Sequence, residues 1–240
     1  MISLHSIAGT IKLRTLYLIR HAQGSLGTAN YDQLSALGYQ QAEILAEACR
    51  TMLDDSTTSL ALFRGELQRH RQTAATMSTE ATGLDGLNEY RVDRLLQSAF
   101  ADPQPLGIER PSAKAMQRPA DYLSVFMALF PDVLKAWQED RLICPENGDW
   151  RDFRQRVMGA AAVLQQQMAH SDVIAITSAG VISTMAAELL GQDLAWQRSL
   201  NVALYNASLT ELKLDGQGQW HAGRINCLKH FEDPQLHTLA

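Results

Sequence analysis

Four apolar runs of about four residues each, separated by longer segments of a different period, constrain this chain more than any other feature. The runs are Leu16–Ile19, Leu60–Phe63, Val173–Ile176 and Val202–Tyr205. Short, near-continuous apolar runs suit strands covered on both faces. Between them, Gly38 to Leu53 places Ala42, Leu45, Ala46, Cys49, Met52 and Leu53 at three- and four-residue steps, the spacing of one helix face. Thr73 to Thr82 reads as a shorter helix. Asp152 to Met168 sets Phe153, Val157, Ala160, Ala161 and Leu164 on one face, and Val181 to Leu190 is a helix stopped by Gly191. Strand–helix alternation of this kind predicts a three-layer α/β/α fold with a mostly parallel sheet.

Two regions depart from the alternation. Residues 92–146 hold most of the chain's seven prolines. Within them Tyr122–Trp137 reads as helix, interrupted at Pro131. This region is expected to be a helical insertion laid over the sheet edge as a lid. Asn201 to Leu228 reads as two strands around the turn signal Asp215-Gly216-Gln217-Gly218. The expectation is one domain over residues 1–240, with 1–13 as a leader of no assigned function.

At 240 residues, 46% hydrophobic and 20% charged, the chain can bury a sizeable core. Its 21 basic against 26 acidic residues give a net charge of −5, a poor balance for neutralising nucleic-acid phosphates. Cys49, Cys144 and Cys227 form no CxxC pair, which suggests a reduced, cytoplasmic setting and neither a zinc ribbon nor a disulfide framework. No apolar stretch approaches the ~18 residues of a membrane span. The histidines show no metal-ligand spacing, and neither GxxxxGK[ST] nor GxGxxG occurs. No metal or other cofactor is therefore expected. The four tryptophans are scattered, as packing residues of core or lid would be.

In open α/β sheets, ligands bind beyond the carboxyl ends of the strands. The residues just after the runs are therefore informative. Arg20-His21-Ala22-Gln23 follows the first, and Arg64-Gly65-Glu66 with Arg69-His70-Arg71 follows the second. Thr177-Ser178-Ala179-Gly180 follows the third. Together they deliver arginines, a histidine and a helix start to one edge, which suits an anion. Nearby guanidinium charge disfavours imidazolium and leaves a lone pair on the histidine. The same arginines suit bidentate binding of phosphate oxygens. A histidine so placed can serve as nucleophile, base or capping side chain.

LYLIRHAQ, followed by Tyr31–Ala42 with Leu34, Ser35, Gly38, Gln41 and Ala42, resembles the opening signature of the histidine phosphatase superfamily, which includes the phosphoglycerate mutase-like phosphatases. Ala22 stands where that family has glycine. A second block of the family, Arg-x-x-Gln-Thr-Ala, is matched by Arg69 to Ala74, and Leu-x-Glu by Leu87-Asn88-Glu89. Phe153 to Val157 resembles the helix before the family's last catalytic strand. The resemblance runs from about residue 14 to 230, with 92–146 unsupported. It implies a phosphoglycerate mutase-like fold and a phosphomonoester hydrolase acting on a small phosphorylated substrate. On that basis His21 becomes a phosphohistidine, Arg20 and Arg69 clamp the phosphate, and Glu89 is the general acid. Gln23, Asn30, Ser178 and Ala179 join the substrate-binding set.

The fourth block departs from the family pattern. Ser178 stands where the family places a second histidine, in Thr177-Ser178-Ala179-Gly180-Val181-Ile182. A hydroxyl donates one hydrogen bond but brings no positive charge. Loss of one preorganised donor typically costs about 10²–10³ in rate. The free N–H groups of Ser178 to Gly180 at a helix start offset part of that. His70 is a second source of a donor, although surface packing is its expected role. The rival readings are a weak or inactive pseudophosphatase that binds a phosphorylated ligand or partner, a phosphoglycerate mutase, and a serine esterase with Ser178 in a nucleophile elbow. Ile176 stands where the elbow wants glycine.

Overall fold

The computed structural model describes residues 13–25, 32–54, 59–112 and 119–239. The strands are β1 (Arg14–Arg20), β2 (Leu60–Arg64), β3 (Thr82–Gly83), β4 (Asp172–Thr177), β5 (Leu209–Leu214) and β6 (Trp220–Ala222). They form one sheet in the order β3-β2-β4-β1-β5-β6. The first four run parallel, with Leu16 opposite Val173 and Leu60 opposite Asp172. β5 returns antiparallel to β1, Ile19 facing Leu209, and β6 pairs antiparallel with β5. The sheet is mixed and mostly parallel, as the alternation predicts.

Seven α-helices accompany the sheet among the described residues: α1 (Ala36–Asp54), α2 (Gln68–Ala75), α3 (Val92–Ala101), α4 (Pro119–Gln138), α5 (Trp150–Gln167), α6 (Ala179–Leu190) and α7 (Leu194–Ala203). Alternation within the strands divides the core in two. Leu16, Leu18, Val173 and Ala175 point toward Val157 and Leu164 of α5 and Val181 and Met185 of α6. Ile19, Ile174 and Ile176 point the other way, onto Ala42 and Leu45 of α1 and Ala74 of α2. Helices on both faces of one sheet give the three-layer α/β/α architecture.

Three local readings are corrected. Val202–Tyr205 is not a strand: Val202 and Ala203 close α7, and the next strand begins at Leu209. A four-residue apolar run carries no period that separates a helix end from a strand. The short helix after β2 spans Gln68–Ala75 rather than Thr73–Thr82. Its buried face is Arg69, His70, Thr73 and Ala74, so hydropathy periodicity does not register it. Third, α4 runs unbroken through Pro131. An interior proline costs roughly 3 kcal/mol, and the burial of Phe130, Val133, Leu134 and Trp137 around it offsets that.

The 92–146 segment contributes more than a cover. The second half of α4 enters the main core, where Trp137 meets Trp150 and Tyr90 with ring centroids 5.3 Å apart in each pair. Two strands do flank the turn at Asp215–Gly218, although they are shorter than expected. Asp215 Oδ1 accepts the N–H groups of Gln217 and Gln219, each at 2.9 Å. Among the described residues no helix is long and apolar enough to cross a membrane.

Candidate active site

The ends of β1 and β4 are stitched together where the sequence places its polar residues. His21 N–H donates to Thr177 O at 2.8 Å, and Gly65 N–H donates to Ile176 O at 3.0 Å. Three loops therefore leave the sheet side by side. Arg20, His21, Arg69, Glu89, Ser178 and Ala179 all line one cavity of about 560 Å³ there. The glutamines and threonine of the sequence blocks build the scaffold of this site. Thr73 Oγ1 accepts the N–H of Ala22 at 3.1 Å and donates to Arg69 O at 2.8 Å, tying the His21 loop to α2. Gln41 accepts the N–H of Gln23, and Gln72 accepts that of Leu34, each at 2.8 Å.

His21 is only 2% exposed. Its Nδ1 lies 2.7 Å from the carbonyl oxygen of Ala22, which can only accept, so Nδ1 carries the proton. Nε2 then keeps its lone pair, and Arg69 Nε–H donates to it at 3.1 Å. Burial holds His21 well below the ordinary imidazole range, and the charges of Arg69 and Arg20 lower it further. The ring is neutral and oriented, with the lone pair of Nε2 directed at Arg69 Nε–H.

The arginines are anchored on their far sides. Arg69 Nη1 pairs with Asp32 Oδ1 at 2.6 Å, and Arg20 Nη1 donates to the carbonyl oxygen of Leu204. Glu89 arrives on a braced loop. Thr177 Oγ1 donates to Leu87 O at 2.5 Å, and Arg156 Nη1 donates to Asp85 O and Asn88 O at 2.7 and 2.9 Å. The carboxylate accepts the N–H of Gly180 at 2.8 Å and that of Tyr90 at 3.2 Å. Burial raises its pKa, against the pull of those two N–H groups and of Arg69 and Arg20. Gly180 is required here: a Cβ would stand 2.3 Å from Glu89 Oε1 and 2.4 Å from Tyr90 Cε1. The N–H of Gly180, expected to be open to an anion, is thus already engaged.

His70 is not a surface side chain. It is fully buried, and its Nε2 lies 2.7 Å from Ser178 Oγ. Its ring sits 5.5 Å from that of His21. Gln23 does not line the cavity; its Oε1 accepts the Ser35 hydroxyl at 2.7 Å. Asn30 lies outside the described residues. Sequence reasoning missed Asp32, Tyr90 and Asn201, which also line the cavity. Asn201 donates to the Tyr90 hydroxyl at 3.0 Å. Asp32 stands within the Tyr31–Ala42 block and Tyr90 directly after Glu89, but neither is a matched position, and only the fold brings the three together.

The family model of the histidine phosphatase superfamily, branch 1, matches residues 125–227. That span lies wholly outside the Arg20-His21 and Arg69–Ala74 blocks, so the two signals are independent. The matched span covers 103 of the 240 residues, from within α4 through β6. Solved structures similar to this chain include a phosphoserine phosphatase mutant from Entamoeba histolytica. It is 16% identical, with TM-score 0.60, over 91% of this chain and 99% of that one. A mycobacterial glucosyl-3-phosphoglycerate phosphatase is 20% identical, with TM-score 0.59, over 91% and 100%. An alpha-ribazole phosphatase from Shigella flexneri is 21% identical, with TM-score 0.56, over 89% and 96%. At these identities the likeness establishes the fold. No curated protein matches the sequence.

Proposed function

We propose that this chain hydrolyses phosphomonoesters through a phosphohistidine on Nε2 of His21, with residues 92–146 covering the site of a single domain. The observation that carries the reading is the neutral, oriented His21 with its Nε2 lone pair facing Arg69 at 3.1 Å. An incoming phosphoryl group displaces that hydrogen bond, and Arg69 and Arg20 donate to the phosphoryl oxygens instead. Nε2 attacks phosphorus, the P–O bond to the alcohol breaks, and protonated Glu89 gives its proton to the departing oxygen. Glu89, now a carboxylate, takes a proton from the water that attacks phosphorus. The P–N bond then breaks, phosphate leaves, and both residues return to their starting forms. The raised pKa of Glu89 and the depressed pKa of His21 fit these roles.

The test is phosphate release from a panel of phosphomonoesters by wild type and His21→Ala, with rapid quenching to trap acid-labile phosphate on the protein. Turnover and trapped phosphate are expected in wild type and absent in His21→Ala. Equal activity of the two proteins overturns the mechanism. The same Arg69–His21 hydrogen bond favours one second reading, a protein that binds a phosphorylated ligand and leaves it intact. Ligand binding by wild type without phosphate release is its signature.

A further inference from the structure

The cavity lining is of two kinds. Besides Arg20, His21, Arg69, Glu89 and the polar Asp32, Tyr90, Arg91, Asp93 and Asn201, it includes the apolar Leu67, Val92, Leu123, Phe126, Met127 and Phe130. Phe126 stacks on Phe130 with ring centroids 4.6 Å apart, and Phe130 is buried in the core, so this wall is backed by fixed packing. The charged side chains beside it are engaged with one another: Arg91 pairs with Asp93 at 2.9 Å, and Asp32 with Arg69 at 2.6 Å. A volume of about 560 Å³ far exceeds that of one phosphoryl group. We propose that the substrate is a phosphomonoester of an apolar alcohol, an alkyl or aryl group lying against the Phe126 wall. This rests on the phosphohistidine reading. A carboxylate or ammonium lying against that wall would lose its hydration to side chains that offer no hydrogen bond.

The experiment is a series of n-alkyl phosphates from ethyl to octyl, compared with phosphoserine, for wild type and Phe126→Ser. Alkyl leaving groups share one intrinsic reactivity, so the series isolates burial. The expected result is a rise in kcat/KM of roughly three- to four-fold per methylene until the wall is filled, and a flatter series in Phe126→Ser. A flat series in wild type, or phosphoserine preferred over octyl phosphate, overturns the proposal. Turnover that still requires His21 would leave the hydrolytic mechanism standing in that case. Turnover that survives His21→Ala overturns the mechanism instead.

A second inference stands on a different pair. Ser178 occupies the N-cap of α6 but its side chain makes no capping bond, which is the usual use of a serine there. Its Oγ lies 2.7 Å from Nε2 of His70 and lines the cavity, while His70 sits behind it. The space for that ring exists because residue 65 is glycine: a Cβ there would stand 2.2 Å from His70 Nδ1. Nδ1 has no hydrogen-bond partner among the described residues, so the ring's contact with Ser178 is what its polar atoms achieve. We infer that His70 is a positioning residue, its Nε2–H held on Ser178 Oγ so that the hydroxyl proton points at the phosphoryl group. It also rests on the phosphohistidine reading.

The test is a double-mutant cycle on kcat and KM with His70→Ala, Ser178→Ala and the double variant, plus His70→Gln, whose amide nitrogen reaches nearly the same point. Ser178→Ala and His70→Ala are each expected to lower kcat by about 10²-fold with KM within about two-fold. The double variant should be no worse than Ser178→Ala, and His70→Gln should recover most of the loss. Additive losses, or an unchanged kcat in His70→Ala, overturn the inference. Should His70→Ala fail to fold, a His70→Gln as slow as Ser178→Ala overturns it equally. His21→Ala serves as the separate control on the mechanism.

Discussion

Arg69 Nε–H caps Nε2 of His21 at 3.1 Å while its Nη1 is held by Asp32 at 2.6 Å. One guanidinium therefore covers the Nε2 lone pair of His21 and, on the proposed mechanism, would turn the same N–H to a phosphoryl oxygen. The anchor on Asp32 fixes the planar fork, so exchange of partner at Nε requires little movement of the side chain.

Arg69→Lys is expected to retain the charge but lose the fork. A lysine ammonium donates as a point charge and cannot bridge Asp32, His21 and a phosphoryl oxygen in one plane. We expect kcat/KM to fall by about 10²-fold or more, with vanadate binding weakened in parallel. Activity within two-fold of wild type would show that the geometry at Nε is immaterial.

On the proposed mechanism Glu89 should set the alkaline side of the pH profile. Burial raises its pKa, and the acid form would be the one that donates to the leaving alcohol. kcat/KM is thus highest while Glu89 is protonated and falls as pH rises through that raised value. Burial and the Arg69 and Arg20 charges lower the pKa of His21, which favours the neutral ring the mechanism needs. Glu89→Gln should abolish the alkaline limb and lower turnover of alkyl phosphates by about 10²–10⁴-fold. p-Nitrophenyl phosphate, whose leaving group needs no proton, should lose much less. A normal alkaline limb in Glu89→Gln assigns the acid elsewhere.

Acid should weaken the fold through the two buried rings. His21 and His70 are both held well below the ordinary imidazole range, chiefly by burial. Below about pH 6.5 the unfolded chain therefore binds more protons than the folded one, and stability falls as pH falls. Each ring contributes a slope of up to about 1.4 kcal/mol per pH unit. Urea midpoints between pH 7 and pH 5 should show one such increment missing in His70→Gln. An identical slope in wild type and variant contradicts the assignment.

Gly180→Ala inserts a methyl group where Glu89 Oε1 and Tyr90 Cε1 already stand within 2.4 Å of the Cβ position. The Glu89 carboxyl must swing away and give up the N–H at the start of α6. Overpacking of this kind typically costs about 1–3 kcal/mol, read as a lower melting temperature. Turnover of alkyl phosphates should fall further than that of p-nitrophenyl phosphate, in the pattern of Glu89→Gln. A stable and fully active variant would mean that Glu89 does not need this seat.

The strands β1, β2 and β4 and the helices α1, α5 and α6 were legible because their apolar spacing is regular and their ends carry glycine or polar punctuation. Hydropathy spacing misplaces α2 because its buried face is Arg69, His70 and Thr73, polar residues whose partners are Asp32, Ser178 and the N–H of Ala22. The end of α7 was misread because four apolar residues without context carry no period. Arg20, His21 and Arg69 follow from where the strands stop, and Glu89 from the resemblance of Leu87-Asn88-Glu89 to a family block. Their convergence on one cavity required the parallel register of β1, β4 and β2, which sets the ends of those three strands side by side.

By itself the sequence determined the layered α/β alternation and the set of charged residues delivered to one sheet edge, because both follow from local periodicity and from where strands stop. Tertiary structure alone decided what those residues face. His70 reads as a helix-surface residue in one dimension, yet packing against a glycine at position 65 turns it inward onto Ser178. The apolar wall around Phe126 comes mostly from a segment without strand–helix alternation, and its meaning appears only when α4 and His21 line one cavity. Contacts between residues far apart in the chain carry no local signature, since the pairing is fixed by the geometry of the sheet and not by the neighbours of either residue.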